Sequence, residues 1–316
     1  MKKRIFSTLL ALCMLLCLVP TGVFAAGTDT GRAIQLVDGG TAANISGGQN
    51  DNIYFGTWYE EPIKWRVLDD LTNTGESGLF LLSDALLGTG WNGNVHFDNS
   101  GNIRNAWQSS TAKTWCNDFY DNSFSNGEQG AVLATTKSDE AFTKGTGGIS
   151  FDASENILNE DKVFFLSAEE AENSAYGFTD DNARIANYGN SPGVWWLRSP
   201  YTFPNYAGYA GVVFGNGPVY PYVVSGDWAA RPAFNLNLNS VLFASAAVGG
   251  KPDGGLTPIS EYTGNEWKLT LKDSNRNFAV TETTVSGDPG DTVTLHYTGA
   301  TAGINEYISV ILADNS

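Results

Sequence analysis

Ten aromatic side chains fall within the 34 residues from Trp195 to Trp228, where only Arg198 and Asp227 are charged. Tyrosine offers a large, rigid contact area with a polar tip at a small entropic cost, and Asn and Ser add adaptable hydrogen bonds. This composition is typical of surfaces that bind a ligand through desolvated rings. The sequence therefore predicts these ligand-binding residues: Tyr201, Phe203, Asn205, Tyr206, Tyr209, Asn216, Tyr220 and Tyr222.

Other residues of this region favour a structural role. Trp195, Trp196 and Trp228, with Phe214, are predicted to fill the core beneath short strands. Arg198 and Arg231 are flanked by apolar residues, so each is predicted to pair with a carboxylate or with backbone carbonyls and to fix loop geometry. The alternative for the whole segment is that every ring is buried.

Adjacent carboxylates raise the possibility of acid–base chemistry. A glycosidase needs two carboxylates that face each other across a cleft. Neighbours in sequence usually point to different faces, and acids are expected at helix starts in any case. The sequence therefore predicts no catalytic residue, and a carbohydrate-active enzyme remains an alternative. The pairs are Glu60/Glu61, Asp69/Asp70, Glu169/Glu170 and Asp180/Asp181.

No metal or cofactor site is predicted. His96, His296 and Cys116 are isolated from one another in sequence and do not make a zinc motif. No glycine loop with the features of a phosphate cradle is present. Cys116 lies in the apolar-patterned run TWCNDFY, which predicts a buried structural thiol.

The first 25 residues have the pattern of a secretory signal peptide. Lys2, Lys3 and Arg4 precede an apolar run that is too short for a comfortable membrane span, and small residues follow at the cleavage spacing. Removing these cations takes the net charge from −16 to −19. Such acidity disfavours nucleic acid and anionic membranes as partners. The predicted location is extracellular, with association at a cell surface as an option.

The aromatic segment is predicted to lie on a β-hairpin. Gly215-Asn216-Gly217 is a turn signal that would join a strand at 209–214 to one at 219–224. Pro221 cannot donate to a ladder, which favours an edge position for the second strand.

Short strands and helices surround this hairpin in the predicted fold. Residues 52–70 and 79–87 have strand patterns, and 109–124 has a helical pattern with Ser109 or Ser110 as the N-cap. Ser167 with Glu170 predicts a capping box. Residues 179–189 predict another short helix that ends at Gly189.

The predicted organisation has five parts. A Gly- and Pro-rich stretch marks the linker, and the residues after it alternate in the manner of an immunoglobulin-like β-sandwich. About four strands are fewer than the roughly seven of a complete sandwich, so this module is predicted to be partial and truncated. The parts are a signal peptide (1–25), an N-terminal segment (26–49), an α+β domain (50–245), a linker (246–265) and a partial immunoglobulin-like β domain (266–316).

Six motifs in this order carry a family resemblance: GTWYEEPIKWRVLD, LFLLSDALL, WCNDFYDNSF, KVFFLSAEEA, WWLRSP and ARPAFNLNL. Over about residues 50–245 the chain resembles an uncharacterised family of secreted bacterial domains. That family is similar in pattern to the C-type-lectin-like fold of formylglycine-generating enzymes and of the variable proteins of diversity-generating retroelements. The resemblance implies an α+β C-type-lectin-like domain of short helices and twisted antiparallel strands, with residues 201–228 in the place of the retroelement proteins' diversified binding surface.

Departures from these relatives limit what the resemblance implies. No EPN or QPD motif is present, so calcium-dependent sugar binding is not expected. A single mature cysteine cannot supply the copper-binding cysteine pair of the formylglycine-generating enzymes. The sequence therefore predicts a non-enzymatic recognition module that binds a protein or glycan on another surface. The alternatives are a carbohydrate-active enzyme and a structural envelope protein.

Overall fold

The computed structural model describes residues 6–7, 52–69, 78–88, 94–101, 104–137, 143–203, 208–247, 265–271, 278–282, 284–288 and 290–300. The predicted signal peptide, apart from residues 6–7, lies outside this set, as do the segment 26–49 and residues 248–264 of the predicted linker. The chain forms two compact units. One comprises Phe24–Leu271, and the other comprises Met1–Val23 with Lys272–Ser316.

Strands make up most of the regular structure, so the fold is a strand-rich α+β fold. In chain order the strands are β1 Phe6–Ser7, β2 Asn52–Trp58, β3 Glu61–Asp69, β4 Gly78–Ser83, β5 Asn94–His96, β6 Thr135–Lys137, β7 Thr143–Gly145, β8 Ile149–Phe151, β9 Leu158–Asp161, β10 Phe164–Phe165, β11 Asn187–Tyr188, β12 Ser191–Pro192, β13 Trp195–Pro200, β14 Tyr209–Val213, β15 Val219–Val223, β16 Asp227–Ala229, β17 Pro232–Asn237, β18 Val241–Ala246, β19 Glu266–Leu271, β20 Ala279–Val280, β21 Val285–Ser286 and β22 Tyr297–Thr298.

Among the residues that the structure describes, the helices are few and short. The α-helices are α1 Thr111–Ser123, α2 Asn126–Ala131, α3 Ala168–Ala171 and α4 Asp181–Arg184. In the described part of the chain, four single 3₁₀ turns are formed by Trp107–Ser109, Thr146–Gly148, Ser174–Tyr176 and Leu238–Ser240.

Local capping chemistry explains where these helices begin. The Ser110 hydroxyl accepts a hydrogen bond from the Lys113 amide at 3.0 Å, which caps α1. Ser167 and Glu170 form the predicted capping box at the start of α3. The helical period predicts that Trp115, Phe119 and Cys116 form the inner stripe of α1, and of these Cys116 and Phe119 are buried and Trp115 is half-buried.

The larger unit contains two main sheets. A seven-stranded sheet has the order β10-β17-β4-β3-β2-β19-β18, and a five-stranded sheet has the order β15-β14-β13-β16-β5. β3 alternates buried Ile63, Trp65 and Val67 with half-buried Lys64 and Arg66, as expected for a strand with one face in the core. The Trp65 ring lies 4.7 Å from Phe234 in β17, so β3 and β17, which lie on either side of β4, share one aromatic core.

The end of the larger unit differs from the predicted boundary. β19, expected in the immunoglobulin-like module, pairs in parallel with β2 and antiparallel with β18. Trp267 is buried opposite Ile53, and this apolar burial draws the strand into the seven-stranded sheet. The division therefore falls after Leu271 and not within 246–265.

The smaller unit has little regular structure among its described residues. β1 pairs with β21, and β20 pairs with β22, each as a two-residue antiparallel ladder. The sequence pattern predicts longer strands of a sandwich in this part of the chain, and the described residues form these two short ladders.

The predicted helix at 179–189 is shorter in the structure. α4 comprises only Asp181–Arg184, and β11 then pairs with β12 across a two-residue turn at Gly189-Asn190. Gly189 has a φ of 59°, which a glycine adopts without strain. Hairpin formation therefore competes with continuation of the helix, and the Gly-Asn turn signal decides the outcome.

Candidate functional site

The β14–β15 hairpin presents its aromatic residues on two opposite faces. Tyr220 pairs with Val212 and Tyr222 with Ala210, whereas Tyr209 pairs with Val223. Cross-strand partners point to the same side and successive residues point to opposite sides. Tyr220 and Tyr222 therefore share a face that Tyr209 does not, and the predicted residues do not form a single surface.

Four rings are joined on the first of these faces, and we call them the Tyr222 ring cluster: Phe214, Tyr220, Tyr222 and Trp228. Ring centroids are 5.9 Å apart for Phe214 and Tyr220, and 6.4 Å for Phe214 and Tyr222. Tyr222 and Trp228 are T-shaped at 5.0 Å. Tyr220 is 51% exposed and the other three are half-buried. The cluster is thus an aromatic surface that packs against the protein on one side and is open to solvent on the other.

Trp228 was predicted to be structural, and the structure places it in this cluster. It belongs to β16, where it pairs with the buried Val95 of β5. Its indole nitrogen Nε1 has no hydrogen-bond partner among the described residues. An N–H group can donate weakly to an aromatic face, and the T-shaped contact with Tyr222 is the arrangement that permits this.

Gly226 allows the turn between β15 and β16 to lie against these rings. A Cβ at this position would come within 3.2 Å of both Trp228 Nε1 and Tyr222 Cδ1. The Gly226 amide donates to the Val223 carbonyl at 2.9 Å, which closes the turn. The spacing of Tyr222 and Trp228 therefore follows from a short, glycine-containing turn.

A second aromatic pair lies at the end of β13. Tyr201 and Phe203 are stacked at 6.1 Å with an interplanar angle of 13°, and Phe203 is 58% exposed. Tyr201 also contacts Phe151 of β8 at 5.9 Å, which ties the pair to the core. Asn205 and Tyr206 lie outside the described residues.

The two remaining predicted residues lie on the hairpin itself. Tyr209 is half-buried, and its carbonyl accepts hydrogen bonds from the Tyr201 amide and from Asn105 Nδ2. Asn216 is exposed in the turn between the strands.

This turn is fixed by contact with α4. The Gly217 amide donates to the Phe214 carbonyl at 2.8 Å, and Arg184 Nε donates to the Gly217 carbonyl at 2.8 Å. Gly217 has a φ of 104°, and a Cβ there would overlap the backbone of Asp181. The hairpin tip is therefore held in place by close backbone approach.

Trp195 and Trp196 are fully buried. The Trp196 indole donates to the Val95 carbonyl at 2.6 Å. The Trp195 ring lies 4.9 Å from the Arg231 guanidinium, a cation–π distance. Both rings anchor β13, the strand that pairs with the hairpin, in the core.

Arg198 lies at the centre of a buried ionic network. Its Nε donates to the Asn156 carbonyl at 2.9 Å, and its Nη1 donates to the Phe165 carbonyl and to Glu170 Oε2 at 2.8 and 2.5 Å. Lys137 pairs with the other oxygen of Glu170. Burial alone would raise the pKa of the Glu170 carboxyl, but the charges of Arg198 and Lys137 outweigh it and hold that pKa far below its usual range.

Arg231 is buried without such a neutralising contact. It donates from Nε to the Ser83 carbonyl at 3.0 Å and from Nη1 to the Arg184 carbonyl at 3.4 Å. Nη2 has no hydrogen-bond partner among the described residues. Burial lowers the pKa of this guanidinium, and Arg66 lowers it further.

The two carboxylates within an adjacent pair make different contacts. Glu169 is exposed whereas Glu170 is buried in the ionic network. Asp180 caps α4 through the Ala183 amide at 3.0 Å, and Asp181 pairs with Arg184. Asp70 lies outside the described residues. In the described part of the chain, no group of three or more His, Cys, Asp or Glu residues is arranged to hold a metal ion.

Cys116 is fully buried on α1. Burial raises the pKa of its thiol, and nearby Asp161 raises it further. A thiol in this state is a poor nucleophile at neutral pH.

The fold and the site together define a strand-rich α+β domain that carries a partly exposed aromatic hairpin. Residues 76–238 match the family described as Domain of unknown function (DUF6273), and the chain belongs to that family. The matched region contains the whole five-stranded sheet and the Tyr222 ring cluster. No curated protein and no solved structure matches the chain. Among the described residues, no helix has both the length and the apolar composition needed to cross a membrane.

Proposed function

We propose that this chain is an exported recognition module that binds a protein or glycan on another surface through the Tyr222 ring cluster. In this proposal the larger unit is a C-type-lectin-like domain, and residues 272–316 of the smaller unit are an immunoglobulin-like spacer. The proposed location is extracellular or at the cell surface, on the strength of the signal pattern in residues 1–25.

The observation that carries the proposal is the continuity of the exposed Tyr220 ring with three half-buried rings. Tyr and Trp are enriched among the residues that dominate binding energy, where a ring is covered by the partner and water is excluded. A ring already fixed by its neighbours loses little conformational entropy on binding. The cluster therefore supplies contact area at low entropic cost.

The position of β15 favours contact through side chains. It is an edge strand of the five-stranded sheet, as Pro221 predicts. Pro221 has no N–H group, so addition of a partner strand to this edge would lack a ladder hydrogen bond there. The proposed interface therefore uses ring surfaces, and the exposed Asn216 supplies hydrogen bonds at its rim.

Replacement of Tyr220 by alanine is expected to weaken binding by at least about 10-fold, as for a central interface aromatic. The wild-type chain would first be screened on a printed glycan array and against a displayed random-peptide library. Affinities of the variants would then be measured by calorimetry for each probe that binds.

Tyr297→Ala is the matched control, because Tyr297 is also 51% exposed but lies in the smaller unit. Equal losses from the two replacements would show that the binding is not specific to the ring cluster. Unchanged affinity of Tyr220→Ala would remove the cluster from the interface.

A further inference from the structure

The hairpin turn between β2 and β3 has a backbone conformation that its two central residues disfavour. Trp58 pairs with Glu61, so Tyr59 and Glu60 are the two central residues of the turn. Their φ values are 50° and 67°, both in the left-handed region. A two-residue turn with two positive φ values strongly favours Asn-Gly, because side chains with a Cβ are strained there.

Elsewhere the same chain uses glycine for this purpose. Gly189 at the tip of the β11–β12 hairpin and Gly217 at the tip of the β14–β15 hairpin have φ values of 59° and 104°. The Tyr59-Glu60 turn keeps two strained residues where a less strained sequence would serve the fold. Strain that folding does not need points to a role in contact with another molecule.

The strained turn places a tyrosine ring far into solvent. Tyr59 is 71% exposed, more than any other large apolar side chain that the structure describes. The turn itself is anchored, because the Trp58 ring lies 5.0 Å from Tyr59, 5.8 Å from Trp115 and 5.3 Å from Phe119. The Tyr59 ring therefore packs on Trp58, which contacts the core, and its remaining surface is exposed to solvent.

Two glutamates follow Tyr59 in the sequence. Glu60 and Glu61 are both exposed beside Tyr59 at the tip. An aromatic face attracts a cation, and a nearby carboxylate strengthens the attraction through a charge-assisted hydrogen bond. The net charge of −16 adds a long-range attraction for cationic groups.

We propose that the Tyr59 tip is a second contact site, separate from the Tyr222 ring cluster, that receives an arginine or lysine side chain of a protein partner. The cation would stack on the Tyr59 ring, and Glu60 would accept its hydrogen bonds. This site belongs to the seven-stranded sheet, whereas the ring cluster belongs to the five-stranded sheet.

The test uses an octa-arginine peptide as the probe and calorimetry of the full chain as the measurement. Tyr59→Leu keeps the net charge and is expected to weaken binding by about 3- to 5-fold, which corresponds to an exposed cation–π contact. Tyr59→Phe keeps an aromatic face and is expected to retain most of the affinity. Tyr297→Leu is the control for an exposed tyrosine elsewhere and is expected to change nothing.

A second variant tests the strain independently. The double replacement Tyr59→Asn, Glu60→Gly supplies the favoured turn sequence, so it is expected to raise the Tm by at least about 4 °C while peptide binding weakens. An unchanged or lower Tm would overturn the argument from strain. The proposed contact site would be contradicted if Tyr59→Leu bound the peptide as tightly as the wild-type chain. It would also be contradicted if Tyr59→Leu and Tyr297→Leu lost the same amount of affinity for the peptide. Neither outcome depends on Tyr220, so the site can fail while the ring cluster stands.

Discussion

Replacement of Glu170 by alanine is expected to lower the free energy of unfolding by about 3–5 kcal/mol. The side chain is buried between Arg198 and Lys137, and Arg198 is fully buried. Removing the carboxylate leaves the Arg198 charge without its counter-ion in a medium of low polarity. It also removes the capping box of α3, whose Ser167 amide donates to Glu170 Oε2 at 2.8 Å. Chemical denaturation followed by tryptophan fluorescence measures the change.

Glu169 provides a control one residue away. It has the same charge and lies in the same first turn of α3, but it is exposed. Glu169→Ala is expected to change the free energy of unfolding by no more than about 0.5 kcal/mol. Similar losses for the two variants would contradict the ionic network and would assign the effect to helix propensity or to net charge.

The pH dependence of stability distinguishes charge from shape in this network. The pKa of Glu170 is lowered by folding, so its contribution is complete above the unfolded value of about 4.3 and is lost as pH falls toward the folded value. Glu170→Gln can still accept the Ser167 hydrogen bond but carries no charge. We therefore expect wild-type stability to fall more steeply than that of Glu170→Gln between about pH 5 and pH 2. Parallel curves would show that the carboxylate charge does not stabilise the fold.

Features that depend on neighbouring residues are the ones that the sequence predicts well. The Ser110 cap, the Ser167–Glu170 capping box and the edge position of Pro221 each follow from a local rule, and each is confirmed. The buried stripe of α1 follows from the helical period in the same way.

Local rules of this kind do not predict which distant strands or side chains pair with each other. β19 joins β2 across about 200 residues of chain, and nothing in the pattern of WKLTL identifies this partner over a separate module. The acid that neutralises Arg198 is likewise set by tertiary packing, because 28 residues separate Arg198 from Glu170. The sequence indicated the type of partner for this arginine but not which residue it would be.

The division of the hairpin tyrosines between two faces could have been predicted from the sequence and was not. A hairpin that turns through Gly215–Gly217 and pairs Val213 with Val219 necessarily places Tyr222 opposite Ala210. The alternation of side chains then separates Tyr209 from Tyr222. Counting from the turn would have placed Tyr220 and Tyr222 on one face and Tyr209 on the other. The half-exposed Trp228 is different, because its place beside Tyr222 depends on the turn at Gly226.

Replacement of Gly217 by alanine is expected to lower the free energy of unfolding by about 2–4 kcal/mol, the sum of backbone strain and overpacking. Its φ of 104° is unfavourable for a residue with a Cβ, and that Cβ would overlap the Asp181 backbone. The obstacle is backbone and not the end of a flexible side chain, so the turn or α4 must shift. Thermal and chemical denaturation measure the loss, and near-UV circular dichroism reports any change around Tyr222 and Trp228.

Two controls separate the causes of this loss. Gly101 has a φ of 81° with open space around it, so Gly101→Ala reports strain without overlap. Asn216→Ala changes an exposed neighbour in the same turn and is expected to alter stability by less than about 0.5 kcal/mol. If Gly217→Ala were no worse than Gly101→Ala, contact with α4 would not hold the hairpin tip. If the loss is larger, as we expect, the hairpin that carries Tyr220 is positioned by backbone contact, and the ring cluster is a preformed surface, as the proposed binding requires.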